Sequence, residues 1–554
     1  MSGFAQRQAP ALLAAGVCIG ALIALVFPLT VLVSRSFGDG TFTFSHYVAY
    51  FETPGLSRAF INTAILGLLT VVLVIPLAFA FAYALERTLI PGKDILSAIA
   101  SGPLLVPSLL PALALVCLFG RQGLFAGLSG GDIYGLHGVL LADAVATFPH
   151  ALIILRTALS AADGRLYEQA EILGAGPWRI FRAITLPGAR HGLVAASLAV
   201  FALTITDIGA PVVLGRDFNV MSLVIYKQVL GQQHFELGAV AAILLIMPSA
   251  VAILLERLAA RRQAAMRSAS ATPLKLQPHK FRDVFLLSLC AFLAGCILLL
   301  LVTCQGATLV RLWPYDLSLT GQYYAFDRYD GGGWQALFNS ASLAVAVALC
   351  GTTIAFCGAY VSERLQGVEL LRGLFARLAL LPAAVPGLAL GLSYVLFFDD
   401  PANPLHLLYG SVVLLLMADV THYYTVAHMT AVSAVRSIDK QLESAALTLG
   451  RGPLSVLWRV IAPMSAPALV EIALYFFVNA MTTVSVVVFL YPPTFKLASV
   501  AVLNMEDAGD LAPAAAMGMM IFYVNLFARI AGQSLIANMR QLSAPSSKFV
   551  AVSA

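Results

Sequence analysis

The sequence predicts an all-α, polytopic membrane protein with about twelve transmembrane helices arranged as two parallel six-helix repeats. Three observations carry that prediction. The 554 residues are 60% hydrophobic and 11% charged, with a mean hydropathy of +0.88, whereas a soluble domain is about 25% charged. A globule this apolar cannot clothe its surface in polar groups, so its missing solvent is lipid. Apolar runs of about 20 residues, enough to cross about 30 Å of hydrocarbon, recur along the chain. The chain also repeats itself at an offset of 276 residues. The same figures exclude disorder, collagen, a coiled coil and a secreted disulfide scaffold. The seven cysteines all lie in apolar runs, where Cys packs as a small hydrophobe, and no pair has metal-ligand spacing.

The first run, 11–34, follows a single Arg7 and is too long for a signal-peptide core, so it reads as a span. Further spans lie near 59–85, 95–120, 138–160, 193–215 and 238–256. A second set lies near 284–305, 337–361, 371–398, 410–434, 469–491 and 512–533. The third and ninth carry internal prolines (Pro103, Pro107, Pro111; Pro382, Pro386) and are the least regular. This divides the chain into a first transmembrane domain (1–256), a basic linker (257–283), a second transmembrane domain (284–540) and a tail (541–554). Of the 33 Lys and Arg residues, 25 fall on one side of this topology and 8 on the other. The positive-inside rule then puts both termini, the linker and the tail in the cytoplasm of a bacterial inner membrane. The linker reads as a solvated segment held near anionic headgroups.

The repeat is visible residue by residue. Asn62-Thr63 before the second span recurs as Asn339-Ser340 before the eighth. Tyr83, Glu86 and Arg87 recur as Tyr360, Glu363 and Arg364; Pro107 and Pro111 recur as Pro382 and Pro386; Asp143 recurs as Asp419. Six spans per half is an even number, so both halves share one orientation about an axis along the membrane normal. Two like halves around such an axis enclose a central space, the natural place for a path across the bilayer.

After the fourth span of each half comes a long polar loop on the predicted cytoplasmic side, Asp163 to Pro187 and Asp439 to Pro463. Identical pairs include Leu166/Leu442, Ala170/Ala446, Leu173/Leu449, Gly174/Gly450, Gly176/Gly452 and Pro177/Pro453. The pattern is helix, sharp break, helix. Leu166, Ala170 and Leu173 form one apolar stripe. Gly174 follows the last striped residue, where a helix most often ends in left-handed geometry. Gly176 allows a tight turn and Pro177 suits the first position of a new helix, to which Trp178, Ile180 and Phe181 give an apolar surface. Such an element can act as a rigid peg in a partner's groove.

These loops resemble the EAA motif of ATP-binding-cassette importer permeases, roughly E-A-A-x-x-x-G. Glu168 takes the Glu position in the first copy, with Ala170 and Gly174. In the second copy Ser444 stands where the Glu belongs and Glu443 lies one residue earlier, with Ala445, Ala446 and Gly450 in place. Which of Glu443 and Ser444 serves there stays open. The resemblance covers nearly the whole chain as two fused binding-protein-dependent permease domains and implies a type I importer fold. It implies that both loops, including Gly176, Pro177, Trp178, Gly452 and Pro453, dock on two copies of a cytoplasmic ATP-binding subunit, and that a periplasmic protein delivers substrate. The chain holds no G-x-x-x-x-G-K-[ST] phosphate cradle. ATP and Mg are therefore expected on the partner ATPase, and this chain is expected to be a transport subunit that binds no cofactor, no metal and no nucleic acid.

Polar residues within spans are costly and mark pathways. Candidates are Asp143, His150, Asp207, Asp419, His422, His428, Glu471 and Asn479 with Thr482 and Thr483. Because the fifth and eleventh spans line the path in the resembled class, the expected path residues are Thr206, Asp207, Asn479, Thr482 and Thr483. For cargo, Phe326–Trp334, Phe477–Pro493 and Leu497–Met520 resemble segments of 2-aminoethylphosphonate permeases; ferric iron and thiamine permeases share the frame. An ion-gradient-driven secondary transporter fits twelve spans and a parallel repeat but not the paired loops. An intramembrane enzyme fits poorly, since no H-E-x-x-H is present.

Overall fold

The computed structural model describes residues 2–38, 43–129, 132–265, 272, 274, 276–365, 367–449 and 452–543. The first half runs α1 (Ala11–Ser36), α2 (Pro54–Arg87), α3 (Lys93–Ala100), α4 (Leu109–Phe119), α5 (Leu136–Ser160), α6 (Gly164–Ile172), α7 (Pro177–Thr206), α8 (Gly209–Leu214), α9 (Met221–Tyr226) and α10 (Phe235–Ala265). The second runs α11 (Lys280–Leu309), the hairpin β1 (Val310–Leu312) and β2 (Asp316–Leu319), α12 (Gly333–Glu363), α13 (Glu369–Leu378) and α14 (Gly387–Phe398). It continues with α15 (Val412–Ser437), α16 (Lys440–Thr448), α17 (Pro453–Met464), α18 (Ala466–Thr482), α19 (Ala498–Asp507) and α20 (Leu511–Ser543).

Among the described residues, nine helices are long and apolar enough to span a membrane, and two bent pairs bring the number to eleven. The remaining predicted span, 95–120, is α3 and α4 separated by a 3-10 turn at Gly102–Leu105. Its partner in the second half is bent by 112° at the matching prolines, before α14. The fold is thus the predicted all-α bundle, with its irregular spans where the prolines stand. The first helix of each half packs on the opposite half: α1 lies against α12 and α13, while α11 lies against α2, α3 and α4.

Two predicted spans end early. The fifth, expected over 193–215, stops at Thr206, and the eleventh, expected over 469–491, stops at Thr482. Asp207 (φ −69°, ψ 140°) and Thr483 (φ −69°, ψ 136°) are extended, and the chain turns back inside the bundle. Apolarity alone could not reveal this, because the returning segments α8 and α9 are as buried and as apolar as a span. Non-helical backbone at this depth must be satisfied by protein. Ser222 Oγ donates to the Asp207 carbonyl at 2.5 Å and Ser499 Oγ to that of Thr483 at 2.6 Å. The repeated Asn-Thr/Ser pair does the rest. Asn62 Nδ2 donates to Asn219 O at 2.9 Å and Asn339 Nδ2 to Lys496 O at 3.0 Å. Thr63 Oγ1 accepts from Met221 N and Ser340 Oγ from Ala498 N, both at 2.8 Å. At Gly209 the backbone passes so close to Ser108 and to Leu109 N, 2.7 Å from an added Cβ, that a side chain has no room.

The repeated Glu-Arg pair fastens the polar loops to the bundle. Arg87 is buried, donates to Leu159 O at 2.7 Å and lies 5.0 Å from the Tyr167 ring centroid. Arg364 is likewise buried, donates to the carbonyls of Val435 (2.7 Å) and Ile438, and stands 3.6 Å from Glu443. Glu86 and Glu363 pair with Arg156 at 2.9 Å and Arg436 at 2.7 Å. The sixth span's helix continues to Ala265, so the linker does not begin as loop at 257; Arg, Leu, Ala and Gln are strong helix formers and nothing there breaks the helix.

Two outcomes follow from this packing. Gly192 faces the Cβ of Ala158 with no room for a methyl group, so Gly192→Ala costs about 1–3 kcal/mol; thermal unfolding in detergent should show a lowered midpoint, and an unchanged one contradicts the packing. Arg364→Ala leaves Glu443 and two carbonyls without their buried cation, a loss on the order of 3 kcal/mol. Trypsin should then cleave at Lys440 faster than in the unaltered protein, and equal rates would rule the clamp out.

Candidate coupling loops and central cavity

The first loop is built from its caps. Asp163 is the N-cap of α6, its Oδ1 accepting from Arg165 N at 3.1 Å. That amide, with the backbone and hydroxyl of Thr272, holds the Asp163 carboxyl below the usual carboxylate range. Thr272 belongs to the linker, and its carbonyl accepts from Gly164 N at 2.9 Å; Gln277 Nε2 donates to Glu171 at 2.9 Å. The linker read as a solvated segment therefore touches the first loop at both ends of α6. Gly174 is left-handed (φ +70°), and a Cβ there would meet open space, so conformation alone demands glycine. Gly176 is extended and Pro177 opens α7.

What α6 buries is Tyr167, whose hydroxyl lies 3.1 Å from that of Thr185. Of the predicted stripe, Leu166 and Leu173 are exposed, the latter by 84%; Ile172 beside it is exposed by 86% and Trp178 by 72%. Glu168 is exposed beside them and Ala170 is half-buried. Trp178 stacks on Phe181 at 5.5 Å, and Phe181 is wedged against Phe79 and Tyr83. The second loop repeats this frame, with Gly452 extended, Pro453 opening α17, Leu449 exposed and Ala446 half-buried. Its carboxylate differs. Glu443 turns inward, accepting from Tyr360 Oη at 3.1 Å beside Arg364. It occupies the repeat position of Tyr167, not that of Glu168. The Ser444 side chain and Gly450 lie outside the described residues.

The second site is a cavity of about 240 Å³ between the halves. Thr206, Asp207, Asn479, Thr482 and Thr483 all line it, because the two broken helices deliver their ends to the same place. Asp143, His150 and His422 join them. Asp207 Oδ2 accepts from Ala210 N at 2.9 Å, and its carboxylate also bonds with Ser108 and Asp143. The other intramembrane candidates go elsewhere. His428 packs between Phe375 and Tyr424, Glu471 stands 3.6 Å from Arg540, and Asp419 is buried away from the cavity lining. Sequence reasoning missed Ser108, Tyr423 and Ser485, which also line it. The break at Pro103 and Pro107 was the available signal for Ser108. No trio of His, Cys, Asp or Glu among the described residues is placed to hold a metal ion.

Comparison with known proteins agrees with this arrangement. The profile of the family described as "Binding-protein-dependent transport system inner membrane component" matches residues 75–265 and again 351–541, two segments 276 residues apart at both ends. The Ferric transport system permease protein FbpB of Actinobacillus pleuropneumoniae is 27% identical over 536 residues, covering 91% of this chain and 76% of that protein. The Molybdenum transport system permease protein ModB of Escherichia coli is 34% identical over 150 residues, 26% of this chain and 65% of its own. The Putative 2-aminoethylphosphonate transport system permease protein PhnU of Salmonella choleraesuis is 25% identical over 252 residues, 43% of this chain and 87% of that one. With two copies of the family's domain filling most of its length, the chain belongs to the binding-protein-dependent transport system inner membrane components, as a fused, multi-pass permease of an ATP-binding-cassette importer.

Proposed function

We propose that this permease takes its energy from two copies of a separate ATP-binding subunit, gripping the loops 163–187 and 439–463, and accepts its solute from a periplasmic protein on the opposite face. The observation that carries this reading is the pair of loops that each present exposed apolar side chains beside the start of a new helix at Pro177 and Pro453. Leu173 and Trp178, and Leu449 with Trp458, are exposed although their own helices offer buried positions. A partner's groove supplies the burial that this chain withholds. Closure of the ATPase pair moves both elements, and the Arg87 and Arg364 clamps pass that movement to the ends of α2, α5, α12 and α15. ATP and Mg stay on the partner. The excess of Lys and Arg on the loop side supports cytoplasmic termini.

Two cargoes have support. Ferric iron is favoured by a relative matched over 91% of this chain; 2-aminoethylphosphonate is favoured by PhnU and by the three resembling segments, Phe326–Trp334, Phe477–Pro493 and Leu497–Met520. The roles of the loops are read the same way under either cargo. Glu168 is exposed on its loop and Glu443 is turned inward onto Arg364 and Tyr360, so the two ATPase-facing surfaces differ.

The test is Gly174→Val. A left-handed β-branched residue costs at least about 1–2 kcal/mol of backbone strain, which misorients α6 without any clash in the bundle. Uptake should fall to background while membrane insertion and yield stay normal. Full uptake by Gly174→Val would refute the coupling role.

A further inference from the structure

The cavity between the halves carries information about charge that neither the family nor the relatives supply. Among the described residues that line it, Asp143 and Asp207 are the acids, with no Lys or Arg. Both acids come from the first half. The repeat mate of Asp207 is Thr483, and that of Thr206 is Thr482. The opposite wall therefore carries no acid and is hydrogen-bonding, built from His422, Tyr423, Asn479, Thr482, Thr483 and Ser485. Two buried polar atoms on this lining, Asp143 Oδ2 and His422 Nδ1, have no hydrogen-bond partner among the described residues. Asp143 and Thr483 are 1% and 5% exposed. Unmade hydrogen bonds on buried groups are expensive, and both of these belong to residues that line the same cavity.

We propose that this cavity is an intramembrane transit site for a solute bearing a positive charge, held by the Asp143–Asp207 carboxylates and hydrogen-bonded by the opposite wall. The proposal deepens the permease reading and rests on it. Two carboxyl groups bonded to one another share a proton and leave one negative charge between them, which repels an anion and gains from a cation placed beside it. A hydrated metal cation and the ammonium group of an aminophosphonate share that chemistry; a wholly anionic oxyanion lacks it. The absence of a metal-holding trio among the described residues suits a site that must release what it takes.

The experiment uses proteoliposomes containing the whole importer and tests ferric ion, 2-aminoethylphosphonate and molybdate separately. Asp143→Asn, Asp207→Asn and the double variant should each lower uptake of a positively charged cargo by roughly tenfold or more, the equivalent of 1.4 kcal/mol, while ATP hydrolysis stimulated by the loaded binding protein persists. Adding Thr483→Asp to Asp207→Asn moves the carboxylate to the other half and should recover part of the uptake, which a folding defect would not allow. The ferric and aminophosphonate arms tell the two sources of positive charge apart. Undiminished uptake by the double variant, or molybdate as the carried solute, overturns the site and leaves the permease intact. If the unaltered importer shows no ATP-dependent uptake of any of the three, or hydrolysis unresponsive to the binding protein, the permease reading falls and the site falls with it.

Discussion

Backbone amides and carbonyls inside a bilayer have no water to bond with, and this protein's architecture depends on how it meets that constraint at two points. A helix that breaks midway through the membrane must hand its freed carbonyls to something else. Here the something else is specific: Ser222 below Asp207 and Ser499 below Thr483, with Asn62, Thr63, Asn339 and Ser340 tying down the chain that turns back. Because those bonds are made, α7 and α18 can stop short and present their ends to a shared space. Without them the cavity between the halves would be filled by two continuous helices.

The duplicated frame and its departures do different work. Nearly every bond that holds the frame is present twice, at matching positions, from the asparagine anchors to the buried arginines. The departures are concentrated where a partner or solute would be met. Asp207 faces Thr483 across the cavity, and Glu168 faces outward where the second loop turns Glu443 inward onto Arg364. A single chain carrying both copies is free to specialise each, which an association of identical subunits is not.

Much of this was legible in the residues alone. The all-α membrane bundle, the repeat offset and the helix-break-helix form of the first loop followed from apolar run length, self-similarity and the order stripe, Gly, Gly, Pro; the twelve expected spans became nine continuous helices and two bent pairs among the described residues. The five expected path residues, chosen because the fifth and eleventh spans line the path in the resembled class, all line one cavity. What escaped was where α7 and α18 stop. Residues 207–215 and 483–491 are as apolar as a span, and only the distant Ser222 and Ser499 reveal that their backbone is not helical. The direction of Glu443 escaped for a similar reason, since its partners Tyr360 and Arg364 lie about 80 positions away. Ser108 and Ser485 are single hydroxyls, and single hydroxyls carry no pattern.

The exchange of opening helices has a consequence for what joins the two copies. With α1 folded over the second half and α11 over the first, each copy reaches across and embraces the other. The peptide connection between them is thus not all that joins them, although Thr272 and Gln277 also tie it to the first loop. Were it severed after assembly, the embrace itself would keep the pair from drifting apart in the lipid.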